Sequence, residues 1–301
     1  MLSPPVYKAC PTKSSRRTRS AIDAIKTDIY TVLKADHPMT VRQAFYQLVV
    51  RGTIEKTEAQ YQGTVIRLLT EMRMKGEIPF SFIIDESRRR RETQTYDNVA
   101  DAVRDTAKFY RRSALRQCSD YLEIWCEKEA LAGIIWDVAS EYDVPVLVSK
   151  GMPSLTQLYG TAIEIRRAAK AEKHSYIYQF GDHDPSGVLI PQTVERRLSQ
   201  LCEKFDCPAP IVERVALMEE QIAKYRLPTR PTKRDGNRHA NGFDGDSTEL
   251  DALPPNVLRS MVSECIERHI SQDELEALRA AEESERVLIS KWAEQAAGDT
   301  A

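Results

Sequence analysis

Four short apolar runs separated by helical spans occupy the second part of the chain and leave few folds open. Residues 121–126, 144–149, 176–180 and 210–215 read as strands, and residues 128–142, 154–172 and 188–204 read as helices. Strands that alternate with helices of this length pair in parallel, because each helix carries the chain back to the starting edge of the sheet. The expected fold class here is α/β, with a mostly parallel, helix-covered sheet. Such sheets bind ligands outside the C-terminal ends of their strands. Glu127, Asp182 and Asp184 fall at those ends.

The first part has a different period. Ile22, Ile25, Ile29, Val32 and Leu33 share one helical face between 19 and 35. Thr40-Val41-Arg42-Gln43 has the form of a capping box and opens a helix that stops at Arg51-Gly52. Thr57-Glu58-Ala59-Gln60 opens another, carrying Tyr61, Val65, Leu68, Leu69 and Met72 and closed by Lys75-Gly76. Residues 78–84 then read as a strand pair or wing. Three helices followed by a short β element outline a winged helix-turn-helix over 19–116, preceded by a flexible basic arm over 1–18.

Charge supports that division. Residues 1–116 hold 22 Lys+Arg and 13 Asp+Glu, whereas 117–301 hold 21 and 32, so a net +9 is hidden beneath the chain's formal charge of -2. The run Arg88-Arg89-Arg90-Arg91 extends the basic surface, which suits contact with double-stranded DNA. Other classes drop out. No apolar run approaches the roughly 20 residues that span a bilayer, and no secretory h-region follows Met1. Six scattered cysteines without Cys-x-x-Cys fit reduced thiols, and the chain has no Gly-Lys dipeptide, hence no P-loop. The expected location is cytoplasmic and DNA-associated.

Three carboxylates at strand ends, with no evident cationic partner nearby in sequence, would repel one another unless a divalent ion lay between them. Oxygen-only ligation suits magnesium or manganese, and such an ion suits phosphate chemistry.

A glutamate at one strand end followed by Asp-x-Asp at another resembles the topoisomerase–primase (Toprim) fold. The blocks Glu127-Lys128-Glu129-Ala130, Ser149-Lys150-Gly151-Met152-Pro153, Gly181-Asp182-His183-Asp184-Pro185-Ser186-Gly187 and Glu249-Leu250-Asp251-Ala252-Leu253-Pro254-Pro255 are similar to those of topoisomerase VI A subunits and the related meiotic double-strand-break protein. Arg42-Gln43-Ala44-Phe45-Tyr46 resembles that family's Arg-x-x-aromatic-Tyr motif, with Phe for the more common first Tyr. The resemblance covers residues 40–260 and implies a two-domain arrangement, winged helix 19–116 and Toprim 117–301. It also implies a type IIB topoisomerase-like activity, with Tyr46 attacking a DNA phosphodiester to leave a 5′-phosphotyrosyl link. Arg42, one turn before Tyr46, would lower the phenol's pKa or hold the phosphate, and Glu127, Asp182 and Asp184 would hold magnesium or manganese.

The family works as a homodimer, with an ATPase B-type subunit acting in trans. The short N-terminal arm puts that subunit in question here and suggests a compact, solitary member such as a phage or mobile element would carry. Lys150, Arg230, Lys233 and Arg234 are further candidate phosphate contacts. The loop over 228–247 reads as either a DNA contact or a disordered segment, and residues 271–295 read as a charged surface or dimer helix. Two rival readings remain: a Toprim-type metal-dependent nuclease in which Tyr46 is structural, and a non-catalytic winged-helix DNA-binding protein.

Overall fold

In a computed structural model, residues 17–84, 93–232, 243 and 245–298 are described. The run Arg88–Arg91, together with Lys233 and Arg234, lies outside them, as do residues 1–16 of the expected arm. Arg17 is docked: its guanidinium donates to Thr64 Oγ1 and to Gln60 Oε1, both at 2.8 Å.

The first helices form as their caps dictate. α1 (Arg19–Ala35) starts at Thr18, whose hydroxyl accepts from the Ala21 amide, and it buries Ile25, Ile29, Val32 and Leu33. α2 (Val41–Val50) begins with the complete reciprocal box. Thr40 Oγ1 accepts from Gln43 N at 3.1 Å, and Gln43 Oε1 accepts from Thr40 N at 3.0 Å. At Thr57 only half of the expected box forms, because the Gln60 amide oxygen is taken by Arg17 and Thr64. α3 (Glu58–Gln60) passes through a π-helical stretch, Tyr61–Ile66, into α4 (Arg67–Met74).

The segment expected as a strand pair or wing takes another form. Phe80–Phe82 is a 3-10 turn, and a single parallel bridge joins Ile83 to Met39. The Phe80-Ser-Phe82 sequence has aromatic β propensity, but Met39 N takes Phe82 O and Met39 O takes Ile84 N, and among the described residues no second strand pairs with this segment.

The sheet is four-stranded and all-parallel, in the order β2-β1-β3-β4: β1 (Asp120–Cys126), β2 (Val146–Val148), β3 (His174–Phe180) and β4 (Ile211–Ala216). Before β1 come α5 (Val99–Phe109) and the short α6 (Ala114–Gln117). The crossovers are α7 (Ala132–Ala139), flanked by 3-10 turns that break the expected single helix, then α8 (Leu155–Lys170) and α9 (Ile190–Lys204). α10 (Glu219–Lys224), α11 (Pro255–Glu267) and α12 (Gln272–Gly298) follow.

Alternation along the strands sends residues to opposite faces. Trp125 and Ile177 pack with Leu158, Ile165, Val194 and Leu198 of α8 and α9. Leu122, Ile124, Tyr178 and Phe180 join α7 and α11 on the other face. That second core is continuous with the buried residues of α1, α2 and α4 through Leu250, Ala252 and Leu253. The segment before α11 is thus a wedge between the N-terminal helices and the sheet, and it fixes α2 relative to the strand ends.

α5 was not evident in the sequence, and it packs chiefly on α12. Glu282, 3% exposed, is the hub of that junction, ion-paired with Arg111, Arg279 and Arg286 and accepting from the Arg112 amide. Among the described residues, no helix is long and apolar enough to cross a membrane.

Candidate functional site

β1 and β3 end side by side, Cys126 in register with Phe180, so the residues after them leave the sheet together. Glu127 Oε2 accepts the Asp182 backbone amide at 3.0 Å. Asp182 Oδ1 accepts the Leu250 amide at 2.8 Å, and a two-way backbone bridge between His183 and Thr248 clamps the 248–250 segment alongside. Asp184 faces its own turn, its Oδ1 accepting from Ser186 N at 3.0 Å and Gly187 N at 2.7 Å.

The absence of side chains at two glycines allows this close approach. A Cβ on Gly181 would stand 2.7 Å from Glu127 Oε2 and 2.5 Å from Gln179 Nε2. One on Gly187 would stand 2.2 Å from the Asp182 carbonyl oxygen, a backbone atom that cannot swing aside. Gly187→Ala is therefore expected to cost about 1–3 kcal/mol by overpacking, read as a lower urea midpoint. Gly63→Ala, at a position with open space around it, is the control expected to show no such loss.

At the centre lies Lys128. Its Nζ reaches Asp182 Oδ1 at 3.1 Å and Glu249 Oε2 at 3.2 Å, and it also binds Asp251 Oδ2. Arg42 of α2 reaches the same Glu249 oxygen at 3.1 Å and stacks its guanidinium on the Tyr61 ring at 4.9 Å. Arg230 approaches Glu249 Oε1 at 3.6 Å, and Lys150 pairs with Glu129 at 2.9 Å. A cleft of about 690 Å³ opens over this chain of ion pairs, lined by Arg42, Glu127, Lys128, Lys150, Asp182 and Arg230 among others.

The electrostatics follow from burial and these pairs. Burial raises the Glu127 carboxyl, and the nearby Asp182 and Asp184 raise it further. Burial likewise raises Asp182, with Lys128 opposing. For Lys128 burial acts downward, but Asp251, Asp182 and Glu249 together outweigh it and hold the ammonium charged. Burial would raise Glu249, yet Lys128, Arg42 and Arg230 bring it below the usual range.

Tyr46 lies behind the cleft, 2% exposed, with Lys56 Nζ 5.4 Å above its ring. Lys56 in turn donates to the Pro228 carbonyl at 2.9 Å. The phenol is in the field of Glu249, Arg42, Lys128 and Asp251, and burial followed by Glu249 pushes it up to about 12. The motif gives Arg42 one of two roles, lowering this pKa or holding the phosphate. Arg42 does act downward, but burial acts more strongly.

The sequence-predicted residues thus divide. Arg42, Glu127, Asp182, Lys150 and Arg230 line one cleft, while Tyr46 adjoins it from within the core. The expectation of three carboxylates without a cationic partner is corrected by Lys128, the next residue after Glu127. Lys56, Arg214, Glu249 and Asp251 carry no local sequence signal of a role at the site. The Glu249–Pro255 block carries no local sign that it folds back onto the ends of β1 and β3, where Glu249 meets Lys128 and Leu250 meets Asp182 from 121 and 68 residues away.

Among the described residues, no three His, Cys, Asp or Glu side chains converge as a metal cage. Asp182 is turned to Lys128 and the Leu250 amide, and Asp184 to its own turn. A hard cation that keeps its waters would need only one or two of these carboxylates, Glu127 being buried beside Asp182 and Asp184.

The fold and site define a four-stranded parallel α/β unit whose strand ends form a charged cleft with a docked helical bundle. The chain matches no family model, no curated protein and no solved structure.

Proposed function

We propose that the chain is a type IIB topoisomerase A-subunit-like DNA transesterase, with α1–α4 as its winged-helix-type domain and the parallel sheet as its Toprim domain. The observation that carries this reading is the ion-pair relay Arg42–Glu249–Lys128–Asp182, which joins the helix bearing Tyr46 to the strand-end carboxylates. The motif resemblance supplies the chemistry.

Tyr46 Oη attacks phosphorus, the bond from phosphorus to the 3′ oxygen breaks, and a 5′-phosphotyrosyl link and a 3′-hydroxyl result. One phosphodiester is exchanged for another, so the step is reversible and consumes no nucleotide. Arg42 and Lys128 stabilise the phenolate against the burial that raises its pKa, and both lie where an entering phosphate would compete with Glu249 for them. When bound at Glu127 with Asp182 or Asp184, magnesium or manganese supplies Lewis-acid stabilisation of charge on the phosphate. Lys150 and Arg230 hold flanking phosphates of double-stranded DNA. The working form is a homodimer in which Tyr46 of one protomer serves the acidic centre of the other, so that within each protomer the relay fixes α2 on the sheet instead of delivering Tyr46 to its own acids. ATP, where used, enters through a B-type subunit in trans.

The burial of Tyr46 favours a second reading, a metal-dependent nuclease in which the tyrosine is structural. Supercoiled DNA incubated with the protein and magnesium or manganese, then stopped with denaturant with and without protease, separates the two. A transesterase leaves protein on 5′ ends that protease releases. Free ends identify a hydrolase, and uncut DNA excludes both.

A further inference from the structure

Beneath the acidic turn lies a group that neither the resemblance nor the proposed chemistry uses. Arg214 stands on β4 in register with Gln179 of β3. Its guanidinium runs under residues 182–187 and donates to the Asp182 carbonyl at 2.7 Å, to the Leu217 carbonyl at 3.1 Å and to the Gly187 carbonyl. One planar fork therefore holds both ends of the turn that carries Asp182 and Asp184. The Gly187 backbone packs directly on the Asp182 carbonyl that Arg214 holds. Next to the fork, Arg214 Nε and both amide atoms of Gln179 are buried without a hydrogen-bond partner. Gln179 Nε2 and Glu127 Oε2 crowd the same point above Gly181. This polar floor is expensive to bury, and all of it lies under the three acidic residues.

We infer that Arg214 is the positioning residue of the acidic centre, setting the directions of the Asp182 and Asp184 carboxylates through the backbone carbonyls of their turn. The inference rests on reading that centre as a divalent-metal site. It is a claim about shape as well as charge. Lysine would keep the positive charge but replaces the rigid fork with a single ammonium that cannot span the same carbonyls. Charge alone would act the other way on metal, because a cation under the site repels a second cation. Arg214→Lys and Arg214→Gln thus separate geometry from charge.

The test uses the full chain and two readouts. Hydrogen exchange of the peptide covering 181–189 reports the turn without any metal. The free Mn²⁺ signal in electron paramagnetic resonance reports affinity without catalysis. Both variants are expected to speed exchange in that peptide about tenfold while leaving α1 and α2 unchanged, and to weaken Mn²⁺ binding by about 10–100-fold, the range typical of groups that orient metal ligands. Wild-type exchange and wild-type Mn²⁺ affinity in Arg214→Lys would overturn the inference. So would a lowered Tm with unchanged affinity of the folded protein, which marks a merely structural role. If Arg214→Gln fails to fold, Arg214→Lys carries the test alone. Should the wild type bind no Mn²⁺ while exchange still rises in both variants, the metal reading fails and the positioning role of Arg214 stands.

Discussion

Tyr46→Phe is expected to abolish covalent protein–DNA adducts, with cleavage falling by about three orders of magnitude or more, because no other group replaces an essential nucleophile. The fold should hardly notice. Tyr46 makes no hydrogen bond among the described residues, so removing its hydroxyl is expected to cost about 0.5 kcal/mol or less. This contrast between chemistry and stability distinguishes a nucleophile from a core aromatic. A pH profile sharpens it. With the phenol up at about 12, the phenolate fraction, and with it cleavage, should rise about tenfold per pH unit between pH 6 and 9. Stability runs the other way at higher pH. A tyrosine whose folded pKa exceeds its unfolded value of 10.0 favours the fold below pH 10 and loses that contribution as pH climbs towards 12. Tyr46→Phe should remove this alkaline loss. A variant that still forms adducts would assign the nucleophile elsewhere.

Lys128→Met has the largest expected effect on the fold itself. It leaves Asp182, Glu249 and Asp251 facing one another with their shared cation gone. Breaking a buried ion pair from one side typically costs about 3–5 kcal/mol, visible as a large drop in urea midpoint at pH 7. The loss should shrink in acid. Glu249 is held below its ordinary 4.5 by Lys128, Arg42 and Arg230. Its contribution to stability is therefore complete above pH 4.5 and fades as pH falls through the depressed folded value, so the wild type approaches the variant there. Adding Asp251→Asn to Lys128→Met should restore part of the stability, and the double-mutant cycle measures the coupling. Equal midpoints for wild type and Lys128→Met at pH 7 would show that Lys128 does not hold the three acids together.

Local signals in the sequence located most of the elements. The Thr40–Gln43 box, the α1 stripe, the four strands and the helices α8 and α9 depend on residues a few positions apart and lie close to where the sequence puts them, while the first crossover shortens to α7 between two 3-10 turns. What could not be read locally was set by distant partners. α5 has a polar sequence with only Ala100 and Ala107 buried, and it gains its packing from α12. The expected wing gave way to a bridge with Met39, from the other end of the helical region. At the site, Glu127, Asp182 and Asp184 were placed by the strand ends that carry them. The role of Lys128 became visible only once the 249–251 segment was in position, and Arg214 looked like any other charged residue on an edge strand.

The pairing of α5 with α12 also sets a schedule for the growing chain. About 160 residues separate the end of α5 from the start of α12. At roughly 5–20 residues per second, synthesis of that stretch takes on the order of ten to thirty seconds. Throughout that interval α1–α4 and the strands can collapse on one another, but Ala100 and Ala107 have no partner, and the Arg111–Arg112 pair lacks Glu282. Only once α12 has left the ribosome can this junction close.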